Sequence, residues 1–184
     1  MTRLLSVILA GLLFCASQGL AVTSNQYVSP GTAKVFGDSA QTPDVTWTLS
    51  ALASGAGRIS ARFDKGSGAQ PALWELKCRL QLTGTNVVGA SVEFYISPSD
   101  GTNPDGEIGT ADAALTTDKR RDLTLAGVLV VDQTTTNTTM TRSFQVYVPN
   151  RYFSLGVWNA TTLPFKTDTA VHRCTATPMV PQMQ

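Results

Sequence analysis

From Trp74 to Leu82 the chain alternates without a break. Trp74, Leu76, Cys78, Leu80 and Leu82 are apolar, and Glu75, Lys77, Arg79 and Gln81 between them are charged or carry an amide. A period of two residues belongs to a β-strand, whose successive side chains point to opposite faces of a sheet. On a helix the same pattern would scatter the apolar residues around the whole circumference. Residues 74–82 therefore bury a face only by pairing in a sheet with one side in a core and the other in water. The alternation recurs at Val45, Trp47 and Leu49, at Ile59, Ala61 and Phe63, and at Val92, Phe94 and Ile96. It returns at Phe144, Val146 and Val148 and at Phe153, Leu155 and Val157. Residues 125–131 are apolar on both sides, as in a doubly covered strand, and residues 170–177 supply the last candidate.

Turn signals such as Ser54-Gly55-Ala56-Gly57, Lys65-Gly66-Ser67-Gly68 and Pro149-Asn150-Arg151 separate these runs. Short strands at this spacing predict an all-β domain over residues 45–177, an antiparallel, jelly-roll-like β-sandwich of about eight strands. One short helix is expected within residues 110–122. Thr110 or Asp112 would cap its start, and Lys119, Arg120 and Arg121 would sit near its end, where cations complement the helix dipole. Thr134 to Thr139, all Thr but for Asn137, is expected at an exposed hairpin tip.

Three further segments flank the domain. Residues 1–21 carry Arg3 and then an apolar run, the layout of a secretory signal peptide cleaved before Val22 and too short for a permanent membrane anchor, which takes about 20 residues. Residues 22–44, rich in Ser, Thr, Gly and Pro, are expected as an extended arm, and residues 178–184 as a C-terminal tail.

Charge narrows the partners. Lys and Arg number 14 against 13 Asp and Glu, a net charge of +1, and only 15% of residues are charged, against about a quarter in an ordinary globular chain. Such a chain has neither the net charge of a disordered segment nor the cationic excess that nucleic acid calls for.

Catalytic chemistry is thinly supplied. The one histidine, His172, stands in a strand candidate as a structural residue, and no nucleophile elbow, zinc-protease motif or phosphate loop is present. A hydrolase would need carboxylates such as Glu75, Glu93 or Asp132 to converge in a cleft, whereas alternation sends Glu75 and Glu93 to outer faces. The loop from Ser97 to Asp112 partly mimics a calcium loop, with Asn103, Asp105 and Asp112 at ligand positions, Gly106 at the turn and Asp100 one residue out of register. Its alternative is a loop of Asx turns and glycines. No cofactor is implied. Cys78 and Cys174, the pair left after removal of residues 1–21, form either a disulfide or two buried thiols. Trp47, Trp74 and Trp158 are expected in the core. The sequons Asn137-Thr138-Thr139 and Asn159-Ala160-Thr161 matter only in a glycosylating host.

Four stretches carry a resemblance: residues 47–58, Trp-Thr-Leu-Ser-Ala-Leu-Ala-Ser-Gly-Ala-Gly-Arg; residues 97–102, Ser-Pro-Ser-Asp-Gly-Thr; residues 109–115, Gly-Thr-Ala-Asp-Ala-Ala-Leu; and residues 152–159, Tyr-Phe-Ser-Leu-Gly-Val-Trp-Asn. Over about residues 45–170 the chain resembles small virion proteins of tailed bacteriophages and prophages. The resemblance implies a non-enzymatic particle component, a capsid decoration or cement protein or a tail accessory protein. Its partners would be copies of itself, a trimer being one candidate, and other virion proteins. The alternative, which export and a Cys78–Cys174 bridge favour, is a secreted or periplasmic bacterial β-sandwich that binds a carbohydrate or a protein partner at the cell surface.

Overall fold

The structure is a computed structural model that describes residues 26–68, 70–101 and 109–183. Residues 29–180 form one unit, and the terminal residues 26–28 and 181–183 belong to a second, smaller one. Strands appear in chain order as β1 (Gln26–Pro30), β2 (Lys34–Gly37), β3 (Val45–Thr46), β4 (Gly57–Ile59), β5 (Phe63–Asp64), β6 (Leu73–Gln81) and β7 (Ser91–Ser99). They continue as β8 (Ala113–Leu115), β9 (Thr124–Val130), β10 (Thr139–Tyr147), β11 (Tyr152–Asn159) and β12 (Arg173–Met183).

Two sheets face each other. The first runs β10-β6-β12-β2-β3 and the second β8-β4-β11-β7-β9, with β5 also paired to β11. Eight of these strands pair as a long hairpin rolled on itself: β2 with β12, β4 with β11, β6 with β10 and β7 with β9, all antiparallel. The roll closes through the β6–β12 and β7–β11 pairings. That connectivity is a jelly roll, so the expected all-β class and architecture hold.

Alternation fixes which side chains meet between the sheets. Trp74, Leu76, Cys78 and Leu80 of β6 are all at most 3% exposed, as are Val92 and Phe94 of β7 and Phe153, Leu155 and Val157 of β11. At one end Phe36, Phe63, Trp74 and Phe153 interlock, with ring centroids 5.3–6.0 Å apart. At the open side, where β9 and β10 end their sheets, Phe144 packs on Phe94 at 5.4 Å. Gly127 of β9 makes room for it, because a Cβ there would collide with the Phe144 ring.

Several boundaries differ from expectation. Residues 34–37, expected within an extended arm, form β2, and its Phe36 is fully buried, so this segment is part of the sandwich. β12 likewise runs through residues 178–180, expected in the C-terminal tail. The strand expected over 45–49 shortens to β3, which pairs in parallel with β2. The run 59–63 breaks into β4 and β5. The helix shrinks to Thr117–Arg121, because residues 113–115 pair with β4 instead; its cap is Thr116, whose hydroxyl accepts from the Lys119 N–H. The expected leader, residues 1–21, lies outside the described residues, among which no helix is long and apolar enough to cross a membrane.

Candidate functional site

Each sheet of a sandwich has an outer face, and the two are built differently here. On the first sheet the odd residues of β6, β10 and β12 point outward. The register sets Thr141, Arg79 and Arg173 in one row, Ser143, Lys77 and Thr175 in the next, and Gln145, Glu75 and Thr177 in a third. Tyr147, opposite Leu73, starts a fourth row and is 72% exposed. A shallow groove of about 420 Å³ runs over Glu75, Lys77, Arg79, Thr141, Arg173, Thr175 and Thr177. Among the described residues Lys77, Arg79 and Arg173 take part in no ion pair. Arg79 donates from Nη2 to the Ala170 carbonyl at 2.7 Å, while its Nε is buried without a hydrogen-bond partner.

Beneath these rows lies the Cys78–Cys174 disulfide, which joins directly opposed residues of β6 and β12. Both sulfurs belong to the core, so of the two readings open in the sequence the structure holds the bonded one. Because Cys78 falls between Lys77 and Arg79, and Cys174 between Arg173 and Thr175, the bond pins the register of the outward side chains.

The second sheet covers its own outer face. Strand β8 and the Thr117–Arg121 helix bring Leu115 and Leu123 over Ile59 in a small satellite cluster. Arg120 reaches back over the Trp158 ring, 4.4 Å from its centroid, and donates to Glu93 Oε2 at 3.0 Å. Tyr95 donates its hydroxyl to the same oxygen. Burial, and then the Glu93 carboxylate, push the Tyr95 phenol up to about 12. Gly57 is required here: a Cβ would lie 2.6 Å from Trp158 Cε3 and 3.0 Å from Leu115 Cβ.

Trp158 thus lies on an outer face, half-buried under Arg120, and not in the core where it was expected. Its parity within β11, opposite to that of Phe153, Leu155 and Val157, already carries that signal. Trp47 and Trp74 are core residues, 0% and 3% exposed.

The calcium-like loop is not assembled from its expected ligands. Asp112 spends one oxygen on Arg58 Nε at 2.6 Å and the other on the Thr48 N–H at 3.0 Å, so it latches β4 and is no free ligand. Asp100 follows the end of β7, and Asn103 and Asp105 lie outside the described residues. Among the described residues no three His, Cys, Asp or Glu side chains form a metal-holding group. Glu75 and Glu93 sit on opposite outer faces, separated by packed sheets about 10 Å apart, and Asp132 lines the cleft between β9 and β10.

His172 is 2% exposed and stacks on Phe165; Nε2 donates to the Lys166 carbonyl at 2.8 Å and Nδ1 accepts from the Gln81 N–H at 3.4 Å. Burial holds its pKa below the ordinary imidazole value. Asn159 of the second sequon is fully buried, with its amide donating to Leu52, Ala53 and Leu163 carbonyls and accepting from Thr161, so the folded chain offers no access to it. Asn137 of the first is exposed.

No family model and no curated protein matches this chain. Among solved structures it is similar to CBM35 from Cellvibrio japonicus Abf62, at 11% identity over 86% of this chain and 97% of that one, with a TM-score of 0.39. Murine APRIL is 6% identical over 80% of this chain and 99% of its own, with a TM-score of 0.34. The EclA C-terminal domain, a sugar-binding protein, is 10% identical over 90% and 87%, with a TM-score of 0.33. Likenesses of this degree assign no ligand, and the jelly-roll architecture stands on the strand pairing itself.

Proposed function

We propose that this jelly roll is a non-enzymatic binding protein that takes a carbohydrate on the outer face of its first sheet. The observation that carries this reading is the conjunction, on one uncovered face, of an exposed aromatic ring with a comb of short polar side chains. Sugar rings present apolar C–H faces edged by hydroxyls. A Tyr ring is a large apolar surface with a polar tip, and Tyr147 stands beside Gln145 and Glu75, which donate to and accept from hydroxyls. Thr141, Ser143, Thr175 and Thr177 extend the same chemistry over the groove. A rigid sheet holds these groups at fixed spacing, so little ordering is needed on binding.

Affinity electrophoresis of the full chain through gels containing neutral or acidic polysaccharides tests the reading. At least one polysaccharide is expected to retard the protein, and Tyr147→Ala to abolish the retardation. Mobility unaffected by every polysaccharide, or retardation indifferent to Tyr147, contradicts it.

A second reading, assembly with copies of itself or with virion partners, is favoured by one observation. Strands β9 and β10 are both sheet edges, and Leu125 and Val130 on β9 are 53% and 56% exposed. Open edges with apolar residues invite strand addition. Sedimentation should then show an oligomer that Leu125→Lys with Val130→Lys dissociates; a monomer at all concentrations opposes it.

A further inference from the structure

We infer that the carbohydrate bound on this face is anionic, carrying carboxylate or sulfate groups along its chain; this rests on the carbohydrate reading above. Arg79 and Arg173 are direct cross-strand partners, which places their Cα atoms about 4.5–5.5 Å apart. Lys77 stands two residues along β6, roughly 6.6–6.8 Å from Arg79. Like charges facing each other across a sheet are destabilising, yet here three cations share two adjacent rows.

Other cations without an ion pair among the described residues, Arg62, Lys65, Arg142 and Lys166, are not set side by side in this way, and several elsewhere are paired. Asp112 holds Arg58, Glu93 holds Arg120, Asp64 holds Arg151 through two bonds of 2.7 Å, and Asp44 holds Lys34. On the open face the only carboxylate in the three rows is Glu75, beyond Lys77 in the third. Arg79 also keeps a buried Nε with no acceptor. The disulfide directly beneath fixes the register that holds Arg79 opposite Arg173 against their repulsion.

A neutral sugar would leave that repulsion in place. A carboxylate or sulfate removes it, because exposed guanidinium and ammonium groups meet planar or tetrahedral oxyanions with charge-assisted hydrogen bonds. The Thr141 and Thr175 hydroxyls flank the cations and suit the uncharged oxygens of the same sugar unit. With a net charge of only +1, the attraction is local to this face, which matches an anion repeated along a chain lying across it.

Titration calorimetry of the full, disulfide-bonded chain against matched polymer pairs tests this: polygalacturonate with its methyl ester, and dextran sulfate with dextran. The first pair isolates the carboxylate and the second the sulfate. At least one charged polymer is expected to bind tenfold or more tightly than its uncharged partner. Lys77→Gln with Arg79→Gln and Arg173→Gln should erase that preference, while Arg79→Lys with Arg173→Lys retains most of it; a melting temperature no lower than the parent's certifies each fold. Equal binding of charged and uncharged members, with the triple variant indifferent, overturns the inference and leaves the carbohydrate reading standing. A preference surviving in the triple variant, or duplex DNA bound as tightly as the polyanion, also overturns it. No binding of any polymer removes both.

Discussion

The two outer faces of this sandwich have the same origin and opposite fates. Each is the solvent side of strands whose other side builds one core, yet the second sheet spends its outer face on internal contacts and the first leaves its own open. Over the second, the chain between β7 and β9 folds back: Leu115, Leu123 and Arg120 cover Ile59 and Trp158, and Glu93 is divided between Tyr95 and Arg120. Over the first, Arg79 alone is met from outside its rows, by the Ala170 carbonyl, and three cations without an ion pair among the described residues line the face with a row of hydroxyls and the exposed Tyr147. Stability is supplied from above in one sheet and by a covalent bond from below in the other. A self-covered face has little left to offer a ligand. The open one is where recognition groups can be held rigidly without being used up by folding.

The sharpest break of this comparison is removal of the bond beneath the open face. Cys78→Ala with Cys174→Ala frees a loop with a sequence separation of 96 and is expected to cost about 4–5 kcal/mol in chemical denaturation; a cost below about 1 kcal/mol would mean that strand pairing alone holds β6 to β12. Next comes the cover of the second sheet. Leu115→Ala should cost about 2–3 kcal/mol, and Gly57→Ala about 1–3 kcal/mol by pushing Trp158 and Leu115 aside, both without effect on glycan affinity. Any loss of affinity in these variants would show the two faces to be coupled.

The covered face should also carry a signature in alkali. Because the Tyr95 phenol is pushed up to about 12 from about 10 in an unfolded chain, its contribution is complete below pH 10 and is lost as pH rises from 10 towards 12. Tyr95→Phe should flatten stability over that window; an unchanged profile would remove Tyr95 from the account. The smallest effect on stability is expected at Tyr147. Tyr147→Ala should change unfolding by no more than about 0.5 kcal/mol while removing carbohydrate binding, and a large destabilisation would place that ring in the fold instead.

How much of this could be read from residues alone follows the same division. Strict alternation marked β6, β7, β10 and β11 and sorted inner from outer side chains, because a two-residue period is a local property of a strand. It missed β2, where Lys34-Val35-Phe36 is too short a run to show a period and owes its strand state to pairing with β12. It placed the helix too early, since Ala113 to Leu115 are good helix formers drawn into a strand by β4. Asp112 resembled a calcium ligand in sequence and became a latch through Arg58, a residue 54 positions away. Parity states which residues face outward, but only tertiary structure states which outward face is then covered, and so the open site was invisible although alternation turned Glu75, Lys77 and Arg79 to solvent.

The central claim is that the open face of the first sheet receives the ligand and the covered face of the second does not. Hydrogen–deuterium exchange of the full chain, with and without a saturating polysaccharide from the panel above, tests it most directly. Protection confined to β6, β10 and β12, with β7 and β11 unchanged around Glu93, Tyr95 and Trp158, is the predicted result. Protection centred on the second sheet, or on the β9 edge with the first sheet untouched, would contradict it.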